Sequence, residues 1–138
     1  MVAKKKTKSK SSSKKPAAKS TNHDAVFTSL RELLTPYEGR LAAKTPNRLY
    51  YYLESHEPRY KGRPVFFAAV RAGKNYVSFH LMPVYGCPEL LKGISPELKK
   101  RMQGKACFNF TAMDERLFAE LARLTKAGYD KFKSLKYL

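Results

Sequence analysis

Two apolar stretches, residues 65–70 and 76–82, flank the segment Ala72-Gly73-Lys74-Asn75, and that arrangement constrains the fold more than any other feature. A short connection holding glycine and asparagine turns one strand back on the next, with Gly73 expected at the positive φ of a hairpin loop. In the second stretch Val77, Phe79 and Leu81 alternate with Tyr76, Ser78, His80 and Met82. Successive strand side chains point to opposite faces, so the first set is assigned to a core and the second to a mixed surface.

The remaining elements follow from the same kind of pattern. Val26, Phe27, Leu30, Leu33 and Leu34 fall on one face of a helix that Pro36 stops, with Thr21 and Asp24 at capping-box spacing. The aromatic run Leu49-Tyr50-Tyr51-Tyr52-Leu53 reads as extended, ahead of a turn region containing Pro58, Gly62 and Pro64. Pro83 ends the second hairpin strand, and two short helices are expected after it. The first has Pro88 at its first helical position and Gly93 beyond its end; the second is capped by Ser95, carries Leu98 and Met102 on one face and stops at Gly104. Ala106, Phe108 and Phe110 alternate as a further strand. Thr111 and Asp114 then form a capping box for a helix through Met113, Leu117, Leu121 and Leu124, closed by Gly128. The expected class is α+β: an antiparallel sheet of four to five strands packed with N-terminal and C-terminal helices, plus two short helices.

Charge divides the chain in two. Of 28 lysines and arginines, residues 1–22 hold eight, and they hold none of the 11 acids, which leaves nine surplus positive charges on residues 23–138. The first segment is rich in Lys, Ser, Ala and Pro and has little apolar surface to offset the entropy of ordering, so it reads as a disordered basic tail ahead of a single domain over residues 23–138. Lysine arms bind nucleic acid or other polyanions through counterion release, without sequence preference. Lys4, Lys5, Lys6, Lys8, Lys10, Lys14 and Lys15 are assigned that role, together with Lys99, Lys100, Arg101 and Lys105 around the end of the second short helix. No secretory h-region or apolar run of membrane-spanning length is present, and two isolated cysteines suit a reducing compartment, so a cytoplasmic protein without a membrane partner is expected.

Candidate chemistry is sparse. His23, His56, His80, Cys87 and Cys107 lack the paired spacings of a structural zinc site, no phosphate loop is present, and no metal or cofactor is expected. A Cys–His nucleophile would set Cys107 beside His80 with Asn109 orienting the base, whereas a buried structural thiol is the commoner use of such a cysteine. Tyr50, Tyr51, Tyr52, Tyr60 and Tyr76 interleave with charge, which suits either strand packing or base stacking. The sheet face of Tyr76, Ser78 and His80, with Cys107 and Asn109, is the candidate ligand pocket.

Two longer runs are distinctive: Lys74-Asn75-Tyr76-Val77-Ser78-Phe79-His80-Leu81-Met82-Pro83-Val84-Tyr85, and Gly93-Ile94-Ser95-Pro96-Glu97-Leu98-Lys99-Lys100-Arg101-Met102-Gln103-Gly104-Lys105-Ala106-Cys107-Phe108-Asn109-Phe110. Over about residues 25–130 the chain resembles bacterial proteins of the YdhG-like superfamily, a domain of unknown function. The resemblance implies a compact α+β domain with an antiparallel sheet and supplies no catalytic residues. Some relatives have been proposed as frataxin-like iron chaperones, a role suited to an acidic ridge, whereas this chain is basic. The expected function is a non-enzymatic binding or accessory domain whose tail touches polyanions. The alternative is a small ligand-binding protein or enzyme working on the Tyr76/Ser78/His80 face.

Overall fold

The computed structural model describes residues 19–138, with side chains from His23 onward. The lysines of the basic tail from Lys4 to Lys15 lie outside the described residues.

Among the described residues, a six-stranded, wholly antiparallel sheet forms the body of the domain, in spatial order β1-β2-β3-β4-β6-β5. Its strands are β1 (Ala42–Asn47), β2 (Tyr50–Tyr60), β3 (Arg63–Ala72), β4 (Val77–Leu81), β5 (Met102–Gln103) and β6 (Cys107–Phe110). The count exceeds the four to five expected because the two edge strands carry no apolar alternation. β1 is nearly all exposed and contains Pro46, which has no N–H to donate to a ladder and is therefore tolerated in an edge strand. β5 is two residues long and takes Met102 out of the expected helix, pairing it with Phe108. Gly104, expected to end that helix, instead turns β5 into β6 at φ +78°.

The alternation read in residues 77–81 is present: Val77, Phe79 and Leu81 are fully buried, while Ser78 and His80 are half-buried. β3 reads as a continuous apolar run because a register shift follows the Leu53–Ala68 pair. Such a bulge sets two residues against one, and both Phe67 and Ala68 are buried while Phe66 remains half-exposed. Beyond it β2 and β3 continue as a ribbon in which Pro58 pairs with Pro64, so both prolines lie within strands and not in a turn. The turn itself is the two-residue Lys61–Gly62, at φ +50° and +75°, and two successive positive φ angles match the right-handed twist of a hairpin. Gly73 has no positive φ. Its amide donates to the Tyr76 carbonyl at 2.8 Å, and an added Cβ would meet that oxygen at 3.2 Å, so the position needs a small residue and not a left-handed one.

Helices bury the sheet's apolar face. α1 (Lys19–Glu32) sends Val26 and Leu30 into the core, and its earlier start places Thr21 and Asp24 inside the helix and not at a cap. After β4 come α2 (Met82–Gly86), a 3-10 turn at Pro88–Gly93 and α3 (Pro96–Lys99). The extra helical turn begins at Met82 with Pro83 in its first turn, where a missing N–H costs no intrahelical hydrogen bond. Ser95 caps α3 by accepting the Leu98 amide at 3.1 Å. Glu120 anchors the same serine, accepting its amide at 2.6 Å and its hydroxyl at 2.7 Å. α4 (Glu115–Ser134) contributes Leu117, Phe118, Leu121, Leu124, Tyr129 and Phe132 to the core. Its cap is Asp114, whose carboxylate accepts the Leu117 amide at 3.1 Å. Gly128 does not close the helix, which runs on for another turn and a half. Among the described residues, no helix is long and apolar enough to cross a membrane.

Candidate functional site

Among the described residues, each of the four helices contributes buried apolar side chains to one core cluster. The other face of the sheet is built from the alternate positions, and the pairing register lays them out in rows. One row runs Lys44, Tyr52, Ala69, His80, Cys107 and Gln103 across all six strands. The next runs Asn47, Tyr50, Arg71, Ser78 and Asn109. A hollow of about 460 Å³ opens here, lined among others by Tyr50, Phe66, Arg71, Ser78, His80 and Cys107.

Its centre is aromatic. Tyr50 and Tyr52 lie 5.2 Å apart between ring centroids, Tyr52 and Phe66 6.2 Å, and the Phe66 edge meets His80 at 5.3 Å. The Arg71 guanidinium sits 5.3 Å from the Tyr50 centroid, within reach of a cation–π interaction. Polar side chains flank the aromatics on the β4–β6 side. The Ser78 hydroxyl donates to Asn109 Oδ1 at 2.8 Å, and the Asn109 amide donates to Gln103 Oε1 at 2.6 Å.

Cys107 Sγ and His80 Nδ1 share a hydrogen bond of 3.0 Å across paired strand positions. Burial pushes the imidazole pKa down and the thiol pKa up. Both shifts oppose a thiolate–imidazolium couple, which a cysteine nucleophile requires. The pair is a neutral hydrogen-bonded contact in the floor of the hollow. Among the described residues no group of three His, Cys, Asp or Glu side chains could hold a metal ion.

The fold thus gathers Ser78, His80, Cys107 and Asn109, as alternation and the expected strand pairing suggest. Tyr76 is not among them. It precedes β4 in the hairpin loop and does not line the hollow, because the ladder closes at the Ala72–Val77 pair. Tyr51 also leaves the aromatic set. It is 1% exposed on the core face, with its hydroxyl donating to Glu38 Oε2 at 2.5 Å. Lys99, Lys100, Arg101 and Lys105 are exposed near the β5–β6 edge, and the Arg101 carbonyl accepts the Asn109 backbone N–H at 2.8 Å, which brings the backbone of this basic cluster up to the polar row. Arg71, Phe66 and Gln103 are additional members that sequence reading passes over. Arg71 follows an apolar run, and only its pairing with Tyr50 and Ser78 puts it at the centre of a face.

Comparison with known proteins finds no matching family model, no matching curated protein and no matching solved structure.

Proposed function

We propose that this protein is a non-enzymatic binding domain of the YdhG-like kind, whose half-exposed sheet face receives single-stranded nucleic acid. The observation that carries this reading is the aromatic cluster of Tyr50, Tyr52, Phe66 and His80 with Arg71 beside it, on a domain with a large positive surplus. Single strands are held where aromatic side chains stack on bases inside a positively charged groove, because every base has a π-face and every nucleotide a phosphate. Lys44 at one end of the face and Lys105 and Arg101 at the other supply phosphate partners, and the Ser78–Asn109–Gln103 chain supplies donors and acceptors for base edges. In this reading the lysines of residues 1–22 add affinity without selectivity, through counterion release. The opposed pKa shifts of Cys107 and His80 favour binding over nucleophilic catalysis on the same face.

Fluorescence anisotropy with a labelled single strand and a duplex of equal phosphate count tests the reading. Tyr50→Ala and Arg71→Ala are expected to weaken single-strand binding by roughly 1–3 kcal/mol each, the usual worth of a stacked base, and to leave duplex binding nearly unchanged. Removing residues 1–22 is expected to lower affinity for both and to flatten the salt dependence. Single-strand affinity indifferent to both face substitutions would exclude the face as the binding surface.

A further inference from the structure

A second concavity adjoins the hollow. A groove of about 730 Å³ runs beside the β2–β3 ribbon, between the Lys61–Gly62 turn, α2 and the end of α4, and Phe66 and Met82 line both it and the hollow. Its walls carry the two most exposed aromatic side chains among the described residues, Tyr60 at 53% and Tyr85 at 56%. Tyr137 meets the Tyr60 ring edge-on at 6.0 Å, and the Lys61 ammonium stands 5.3 Å from the Tyr60 centroid. Among the described residues, Lys61 and Arg63 are the only charged side chains lining the groove, and no carboxylate lines it.

We infer that the groove is the continuation of the binding face, so that one single-stranded nucleic acid runs from the hollow over Phe66 and Met82 and stacks further bases on Tyr60 and Tyr85. The inference rests on the reading proposed above. Charge complementarity and the shared lining select this occupant. Exposed tyrosines beside cations are what a stacked base and its phosphate require, and a strand leaving the hollow on this side meets them next. A peptide partner would be expected to use the apolar floor of Phe132 and Pro64 without needing the two cations.

The consequence is a dependence on ligand length. With the full chain and oligothymidines of about 4 and about 12 nucleotides, Tyr85→Ala and Tyr60→Ala are expected to weaken the longer ligand about fivefold or more and to leave the shorter one unchanged. Tyr85→Phe, which keeps the ring, is expected to bind both like the native protein. Arg71→Ala is expected to weaken both lengths. If Tyr85→Ala and Tyr60→Ala bind the long oligomer normally while Arg71→Ala does not, the track ends in the hollow and this inference is wrong while the proposed function stands. If Arg71→Ala and Tyr50→Ala have no effect at either length, the proposed function fails first. Equal loss at both lengths on Tyr85→Ala likewise overturns the extension. Both tyrosines are more than half exposed, so the substitutions leave the core intact.

Discussion

Gly128 of α4 lies directly against Pro83 of α2: a Cβ at Gly128 would stand 2.8 Å from the proline Cβ and 3.0 Å from its Cγ. The missing side chain lets the helix approach the end of β4 closely, and that approach holds α2 beneath the Met82 end of the hollow. In an ordinary helix interior, replacing glycine with alanine gains about 1 kcal/mol. Here the neighbour is a rigid ring. Gly128→Ala is expected to destabilise the fold by about 1–3 kcal/mol through overpacking. Urea denaturation checks this as a lower midpoint with an unchanged slope.

The end of α4 offers the opposite case. Lys136 sits at φ +70°, the Lys136 amide donates to the Lys133 carbonyl at 3.0 Å and the Tyr137 amide to the Phe132 carbonyl at 2.9 Å. Together with the Phe132–Tyr137 ring contact at 5.1 Å this is a Schellman termination, normally closed by glycine. A left-handed lysine costs about 1–2 kcal/mol. Lys136→Gly is expected to recover roughly 1 kcal/mol of that, after the larger entropy of glycine in the unfolded chain is set against it. A higher urea midpoint with intact helical circular dichroism is the measurement.

Stability is expected to fall on both sides of neutral pH. Burial holds the His80 pKa below its ordinary 6.5, so below that pH the unfolded chain binds the proton more readily and stability drops as the solution is acidified. On the alkaline side the unfolded chain ionises first. Burial raises the Cys107 thiol from 9.0, and burial with the Glu38 hydrogen bond raises the Tyr51 phenol from 10.0. Stability is therefore lost as the pH climbs past about 9 and again past about 10. Denaturant midpoints across this range should form a plateau. His80→Ala should flatten the acid side, and Tyr51→Phe the alkaline side. An acid limb unchanged in His80→Ala would refute the assignment.

Thiol chemistry checks the neutral pairing of Cys107 with His80. Native Cys107 is expected to react with a maleimide more slowly than a model thiol at pH 7–8, with Cys87, only 6% exposed, slower still. His80→Ala should leave the Cys107 rate the same or raise it through greater access. A collapse of the rate in that variant would mean that the imidazole activates the thiol after all, and would restore the enzymatic reading.

Sequence alone determined the elements whose signals are local. The alternation through Val77, Phe79 and Leu81, the helical faces of α1 and α4, and the serine–proline start of α3 each need only their own neighbours to be recognised. The site was legible to the extent that alternation reached it: Ser78 with His80, and Cys107 with Asn109, share parities that strand geometry fixes. Tertiary structure decided the rest, because pairing supplies what local pattern lacks. β1 and β5 are strands only because β2 and β6 offer them ladder partners. Gly128 lies mid-helix because Pro83 packs there, and not at an end as its propensity implies. Arg71, Phe66 and Tyr50 come together only through the β2–β3–β4 register, with its bulge at Phe67, and no spacing within one strand encodes a relation between three.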